Sequence, residues 1–155
     1  MRKKGEKLER TLVLIKPDGV CKSLTGKIIE RMEGEGLKIV GLKMISLNKR
    51  KAEELYLPHK GKHFFRELID FMISAPCVAL IAEGKEAIKR VREVIGKTKP
   101  EEALPGTIRN RYASDGKKNI IHGSDCLLSA QREIDCLFRP EEIYSYKRDD
   151  WLKGI

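Results

Sequence analysis

The sequence predicts a domain of mixed α and β structure, and three observations carry that expectation. Short apolar runs of strand length alternate with segments whose apolar residues recur at helical spacing. The chain has 155 residues, enough for one domain to bury a core without disulfide or metal staples. No internal repeat, low-complexity segment or linker divides it, so residues 1–155 are expected to form a single domain. Taken alone, the alternation suggests a doubly wound parallel sheet.

Arg10 to Ile15, apolar without a break from Leu12, suits a strand buried on both faces. Lys16-Pro17-Asp18-Gly19 ends it, because proline cannot continue a central strand and Asp-Gly is turn chemistry. From Gly26 to Gly34, Ile28, Ile29 and Met32 fall on one helical face, with Gly34 and Gly36 as the stop. Leu37 to Leu47 reads as a strand in which Val40, Leu42 and Met44 alternate against Gly41 and Lys43. Lys49 to Leu57 is a short charged helix cut off by Pro58. In the next helix Phe64, Phe65, Leu68, Ile69 and Met72 share a face, which makes Phe64 a core residue by periodicity. Cys77 to Ala82 is a wholly apolar strand, and Ala87, Ile88, Val91, Val94 and Ile95 mark another amphipathic helix.

Gly96 to Lys118 shows no usable periodicity and reads as a long loop. Its basic residues, including Lys97, Lys99, Arg109 and Arg111, suit an anion-binding role. A last strand ends at His122, and a turn capped by Ser124 or Asp125 opens a helix from Cys126 to Phe138. The tail beyond Pro140 carries Tyr144, Tyr146 and Trp151, and is expected to pack on the domain or on a neighbouring subunit. Met1 to Arg10 holds five bases and two acids, and residues 1–7 read as a flexible basic leader.

Lys and Arg number 32 against 23 Asp and Glu, a net charge of +9 that favours anionic partners. Sparse aromatics, not interleaved with the basic residues, leave nucleic acid at most a secondary partner. No apolar stretch approaches a membrane span, and the N-terminus lacks a signal-peptide core. Cys21, Cys77, Cys126 and Cys136 are dispersed, so four reduced thiols in a cytoplasmic protein are expected. Gly96-Lys97-Thr98 imitates the end of a P-loop, but Val91 stands where the first glycine belongs and Pro100 breaks the required helix. Gly34 and Gly36 end a helix and do not link strand to helix, which excludes a dinucleotide fingerprint. His59 and His63 lack a second ligand pair at metal spacing. No Gly-x-Ser-x-Gly elbow is present.

What remains is Asn119-Ile120-Ile121-His122-Gly123-Ser124-Asp125. It sets an imidazole between a strand end and a helix start, where unpaired N–H groups favour a phosphate. A neutral imidazole there has a lone pair for nucleophilic attack. This heptapeptide, Glu9 to Gly19 and Pro105-Gly-Thr-Ile-Arg109 occur together and in order, and the chain from Leu8 to about Trp151 resembles the nucleoside diphosphate kinases. The resemblance implies a ferredoxin-like βαββαβ fold of the α+β class: a four-stranded antiparallel sheet, helices on one face, extra helices and a long nucleotide-binding loop.

The resemblance also implies Mg²⁺-dependent ping-pong transfer of a γ-phosphate from a nucleoside triphosphate to a diphosphate through a phosphohistidine. By position, His122 matches the nucleophile, Glu133 the carboxylate on its other nitrogen, and Tyr56 the tyrosine beside it. Lys16 matches the catalytic lysine that reaches sugar and phosphate, and Asn119 the ribose contact. Arg92, Thr98 and Arg109 match phosphate ligands, and Phe64 the aromatic on which the base stacks. Ser124 is expected to support Glu133. Mg²⁺ is expected on the nucleotide phosphates without a protein metal site, and the chain as a homo-oligomer, hexamer or tetramer. Gly116 departs from the family's apolar residue over the base, and Asn110-Arg111 from its usual Gly-Asp. A basic nucleic-acid-binding module is the alternative; its binding would survive loss of His122.

Overall fold

The computed structural model describes residues 7–152; the expected leader, residues 1–7, lies outside them except for Lys7. Strands β1 (Leu8–Ile15), β2 (Lys38–Ile45), β3 (Cys77–Lys85) and β4 (Ile121–Gly123) form one sheet in the order β2-β3-β1-β4. Every pairing in it is antiparallel. This is the ferredoxin-like arrangement, and it replaces the parallel sheet that alternation alone suggests. Alternation records where helices intervene between strands and carries no information on strand direction.

The helices are α1 (Pro17–Cys21), α2 (Thr25–Gly34), α3 (Lys49–Leu55), α4 (Phe65–Met72), α5 (Ala87–Ile95), α6 (Ile108–Tyr112), α7 (Leu127–Leu137) and α8 (Asp149–Leu152). They cover both faces of the sheet, which corrects the expectation of one. Leu12, Leu14, Ala79 and Ile81 pack with residues of α3, α4 and α7. Val13, Ile15, Val78 and Leu80 pack with α2, α5 and Ile108 of α6. The central strands are apolar at successive positions, so each face needs its own cover.

Three local expectations also change. Pro17 to Cys21 is a short helix with proline at its first turn, a position where the missing N–H costs nothing. In β2 a bulge between Ile39 and Gly41 shifts the alternation, so Val40 and Gly41 are both buried while Leu42 and Met44 turn outward. The stretch from Gly96 to Lys118 holds a 3₁₀ turn, Pro100–Glu102, and the helix α6, too short to show periodicity. The tail is tied to β2 by hydrogen bonds, while Tyr144 and Trp151 stay 64% and 83% exposed and do not pack on the domain. Tyr144 donates its N–H to the Val40 carbonyl at 2.8 Å, and the Tyr146 hydroxyl bonds the Ile39 carbonyl. Among the described residues no helix is long and apolar enough to cross a membrane, and all four cysteines are free thiols.

Candidate active site

β4 runs antiparallel to β1 at the sheet edge and pairs His122 with Leu14, so the imidazole stands on the face covered by α3, α4 and α7. Gly123 lets β4 lie tight against α5: a Cβ there would sit 2.8 Å from the Ile95 Cδ1. A cleft of about 670 Å³ opens beside His122. Lys16, Tyr56, Phe64, Arg92, Thr98, Arg109, Asn119, His122 and Glu133, the nine residues singled out from sequence, all line it.

His122 Nε2 lies 2.5 Å from Glu133 Oε1. The carboxylate accepts, so Nε2 carries a proton, and in the neutral imidazole the lone pair is on Nδ1. The same carboxylate oxygen accepts from the Ser124 hydroxyl at 3.0 Å, and that hydroxyl accepts from the Leu12 N–H at 3.3 Å. Ser124 therefore orients Glu133 and does not cap α7, whose N-cap is Cys126 without a side-chain bond. Arg132 places Nη2 at 3.8 Å from the second Glu133 oxygen. Tyr56 packs its ring edge-on to the imidazole at 5.8 Å between centroids and directs its hydroxyl to Met72 Sδ at 3.7 Å. Burial raises the Tyr56 phenol well above its ordinary range, so the phenol stays protonated.

Lys16, just after β1, is almost fully buried and donates Nζ to the Asn119 side-chain oxygen at 2.7 Å. Burial, reinforced by the nearby Arg109 guanidinium, lowers its ammonium to about 8. The Asn119 amide donates in turn to the Thr98 carbonyl at 3.2 Å and the Gly116 carbonyl at 3.0 Å. Arg109, on α6, donates to the Gly96 and Ile121 carbonyls at 3.1 and 2.7 Å. Its buried Nε has no partner among the described residues, and burial together with Arg92 lowers its guanidinium to about 10. Lys16, Arg92 and Arg109 thus bring three cations to one cleft, a charge that an anion would balance.

Phe64 is the N-cap residue of α4. It packs partly on the core, as periodicity suggests, and also lines the cleft between His59 and His63, each 5.5 Å away. Gly116 also lines the cleft, without a side chain, and Lys117 next to it pairs with Glu67 of α4. Lys97, Lys99 and Arg111 are not among the lining residues; Arg111 stacks on Tyr112 beside α2. Lys62 and Lys117 also line the cleft, and no motif in the sequence marks them, although Lys117 adjoins Gly116. Asp125, a candidate cap by sequence, lines the cleft too. Among the described residues no three His, Cys, Asp or Glu side chains gather to hold a metal.

The sequence profile of the family described as nucleoside diphosphate kinase matches residues 9–143. A nucleoside diphosphate kinase of Pyrococcus furiosus is 51% identical over 149 residues, which cover 94% of this chain and 92% of that one. That of Carboxydothermus hydrogenoformans is 48% identical over 147 residues, 94% of this chain and 99% of the relative. The Aquifex aeolicus enzyme superposes with a TM-score of 0.87 at 47% identity, over 89% of this chain and 100% of the other. The Halobacterium salinarum enzyme, solved in complex with CDP, gives 0.89 at 40% identity over 94% and 98%. Matched across nearly its whole length in sequence and in fold, this chain belongs to the nucleoside diphosphate kinase family.

Proposed function

We propose that the cleft transfers a γ-phosphate between nucleotides by way of phosphorylated His122, and the observation that carries this is the imidazole bound at Nε2 by Glu133 with Nδ1 left free. In the first half-reaction Nδ1 attacks the γ-phosphorus of a nucleoside triphosphate. The bond from that phosphorus to the β,γ-bridging oxygen breaks, and the diphosphate leaves with the electron pair. The Nε2 proton stays in place, and Glu133 stabilises the positive charge that the ring gains. In the second half-reaction a terminal oxygen of another diphosphate takes the phosphoryl group and frees Nδ1. Lys16, Arg92 and Arg109 neutralise the phosphates, Thr98 and Asn119 orient phosphate and sugar, and Phe64 offers a face to the base. Tyr56 holds the imidazole plane.

Mg²⁺ fits this site as a passenger of the nucleotide. Glu133 is occupied by His122 and Ser124, and Asp125 is held by Ser129, so the nucleotide's own phosphate oxygens would hold the ion. When bound, the ion supplies charge neutralisation on the transferring and leaving oxygens. The chain is read as one cytoplasmic domain that assembles as a homo-oligomer, hexamer or tetramer. Leu42 and Met44, 52% and 62% exposed on the edge strand β2, suit contact with another subunit. Parallel lines in double-reciprocal plots against both nucleotides would support the shuttle through His122. Intersecting lines would mean direct transfer in a ternary complex and would remove the phosphohistidine.

A further inference from the structure

Asn119 and His122 stand three positions apart, and in an extended strand an odd separation sends two side chains to opposite faces. Both nevertheless line one cleft, while Ile120 and Ile121 between them are both buried in the core under α2 and α5. The alternation is reset at Ile120, whose φ is +74°. There the Ile121 N–H donates to the Asn119 carbonyl at 2.8 Å and closes a γ-turn of the rare form with a positive central φ. A β-branched residue is poorly suited to that conformation, so surrounding contacts must hold it.

Three contacts from the segment after β1 converge on this residue. The Lys16 N–H donates to the Ile120 carbonyl at 2.8 Å. The Ile120 N–H donates to Asp18 Oδ2 at 3.0 Å. Gly19 leaves the necessary space, since a Cβ there would lie 2.8 Å from the Ile120 carbonyl oxygen. Of these, the Asp18 contact alone is made by a side-chain atom. Its second oxygen, Oδ1, is buried without a partner among the described residues, an arrangement that stability alone does not favour.

We propose that Asp18 is a positioning residue for phosphoryl transfer: its carboxylate holds the Ile120 peptide in the strained turn that brings the Asn119 amide and the His122 imidazole into one cleft. The inference rests on the reading of His122 as nucleophile. Asp18 itself makes and breaks no bond in the reaction. The tetrapeptide Lys16-Pro17-Asp18-Gly19 thus holds the backbone beside the nucleophile as well as supplying Lys16.

The test is a comparison of Asp18→Ala and Asp18→Asn in the full chain, by steady-state kinetics with ATP and a nucleoside diphosphate and by circular dichroism. Alanine removes the acceptor, and kcat should fall about 100-fold in a folded protein, the loss that a displacement of about an ångström brings. Asparagine keeps an acceptor oxygen, and kcat should return to within a few-fold of the parent. Asp18→Ala at parental kcat overturns the proposal. So does Asp18→Asn as slow as Asp18→Ala, since charge beside Lys16 would then be the operative property. If Asp18→Ala does not fold, hydrogen exchange at the parent's Ile120 amide decides: protection like that of core amides supports the bond, and fast exchange overturns it. Phosphorylation of the parent by ATP is measured alongside, and its absence would remove the nucleophile reading and not this one alone.

Discussion

The two ends of the cleft are built differently. At the phosphate end Lys16, Asn119, Ser124 and Glu133 are buried, and each is tied to another member of the site. At the base end stand Phe64, half-buried, a glycine without a side chain at position 116, and an ion pair, Lys117 to Glu67, whose side chains are 50% and 66% exposed. Buried bonded groups hold atoms to fractions of an ångström, whereas exposed pairs and flat rings tolerate variety. The difference teaches where this protein needs accuracy: at the phosphorus that changes partners, and not at the base.

Substitutions at the two ends should differ in kind as well as size. The largest effect belongs to His122→Ala, which should bring steady-state transfer to background while nucleotide binding, measured calorimetrically, stays within a few-fold. Glu133→Gln comes next. An amide can still hold the ring but cannot stabilise its charge, a loss of about 1.5–3 kcal/mol, on the order of 10–100-fold in kcat with little change in KM. An effect on KM alone would place Glu133 in binding.

The pH profile probes the same end. With Lys16 lowered to about 8, the free enzyme loses that cation as pH rises through 8 and retains it below. The kcat/KM for nucleotide should therefore decline on the alkaline side from about pH 8, and Lys16→Arg should move that decline upward.

At the base end the numbers shrink. Phe64→Ala should weaken nucleotide binding by about 1–3 kcal/mol, the range for a base on an aromatic face, and similarly for purines and pyrimidines. Lys117→Ala should cost less than about 1 kcal/mol, and that cost should vanish in high salt. A hundredfold preference for one base in kcat/KM would contradict the contrast between the two ends.

The strands were legible because their residues are apolar over strand-length runs, and β1 and β3 fell almost where expected. Strand direction was not, since the residues of β2 and β3 read the same in a parallel sheet. The helices on the second face follow from Val13, Ile15, Val78 and Leu80, whose burial needs cover that a one-faced arrangement does not supply. Leu42 and Met44 misled because one bulged residue reverses every side chain after it. At the site, the nine residues matched by position through the resemblance do share a cleft. Asp18 reads as turn chemistry in the sequence, because its partner is a main-chain N–H 102 positions away and no spacing within a motif reports such a contact. Lys62 and Lys117 were hidden among many lysines; composition makes a basic residue the least informative letter in this chain.

The central claim is that a single nitrogen, on His122, carries the phosphoryl group. Intact mass measurement after incubation with ATP and Mg²⁺ tests it most directly, with digestion to locate the label. The parent should gain one phosphoryl group on the peptide holding His122, stable to alkali and lost in acid, and adding a nucleoside diphosphate should remove it. His122→Ala should gain none. Labelling that persists in His122→Ala, or that moves to His59 or His63, would contradict the account.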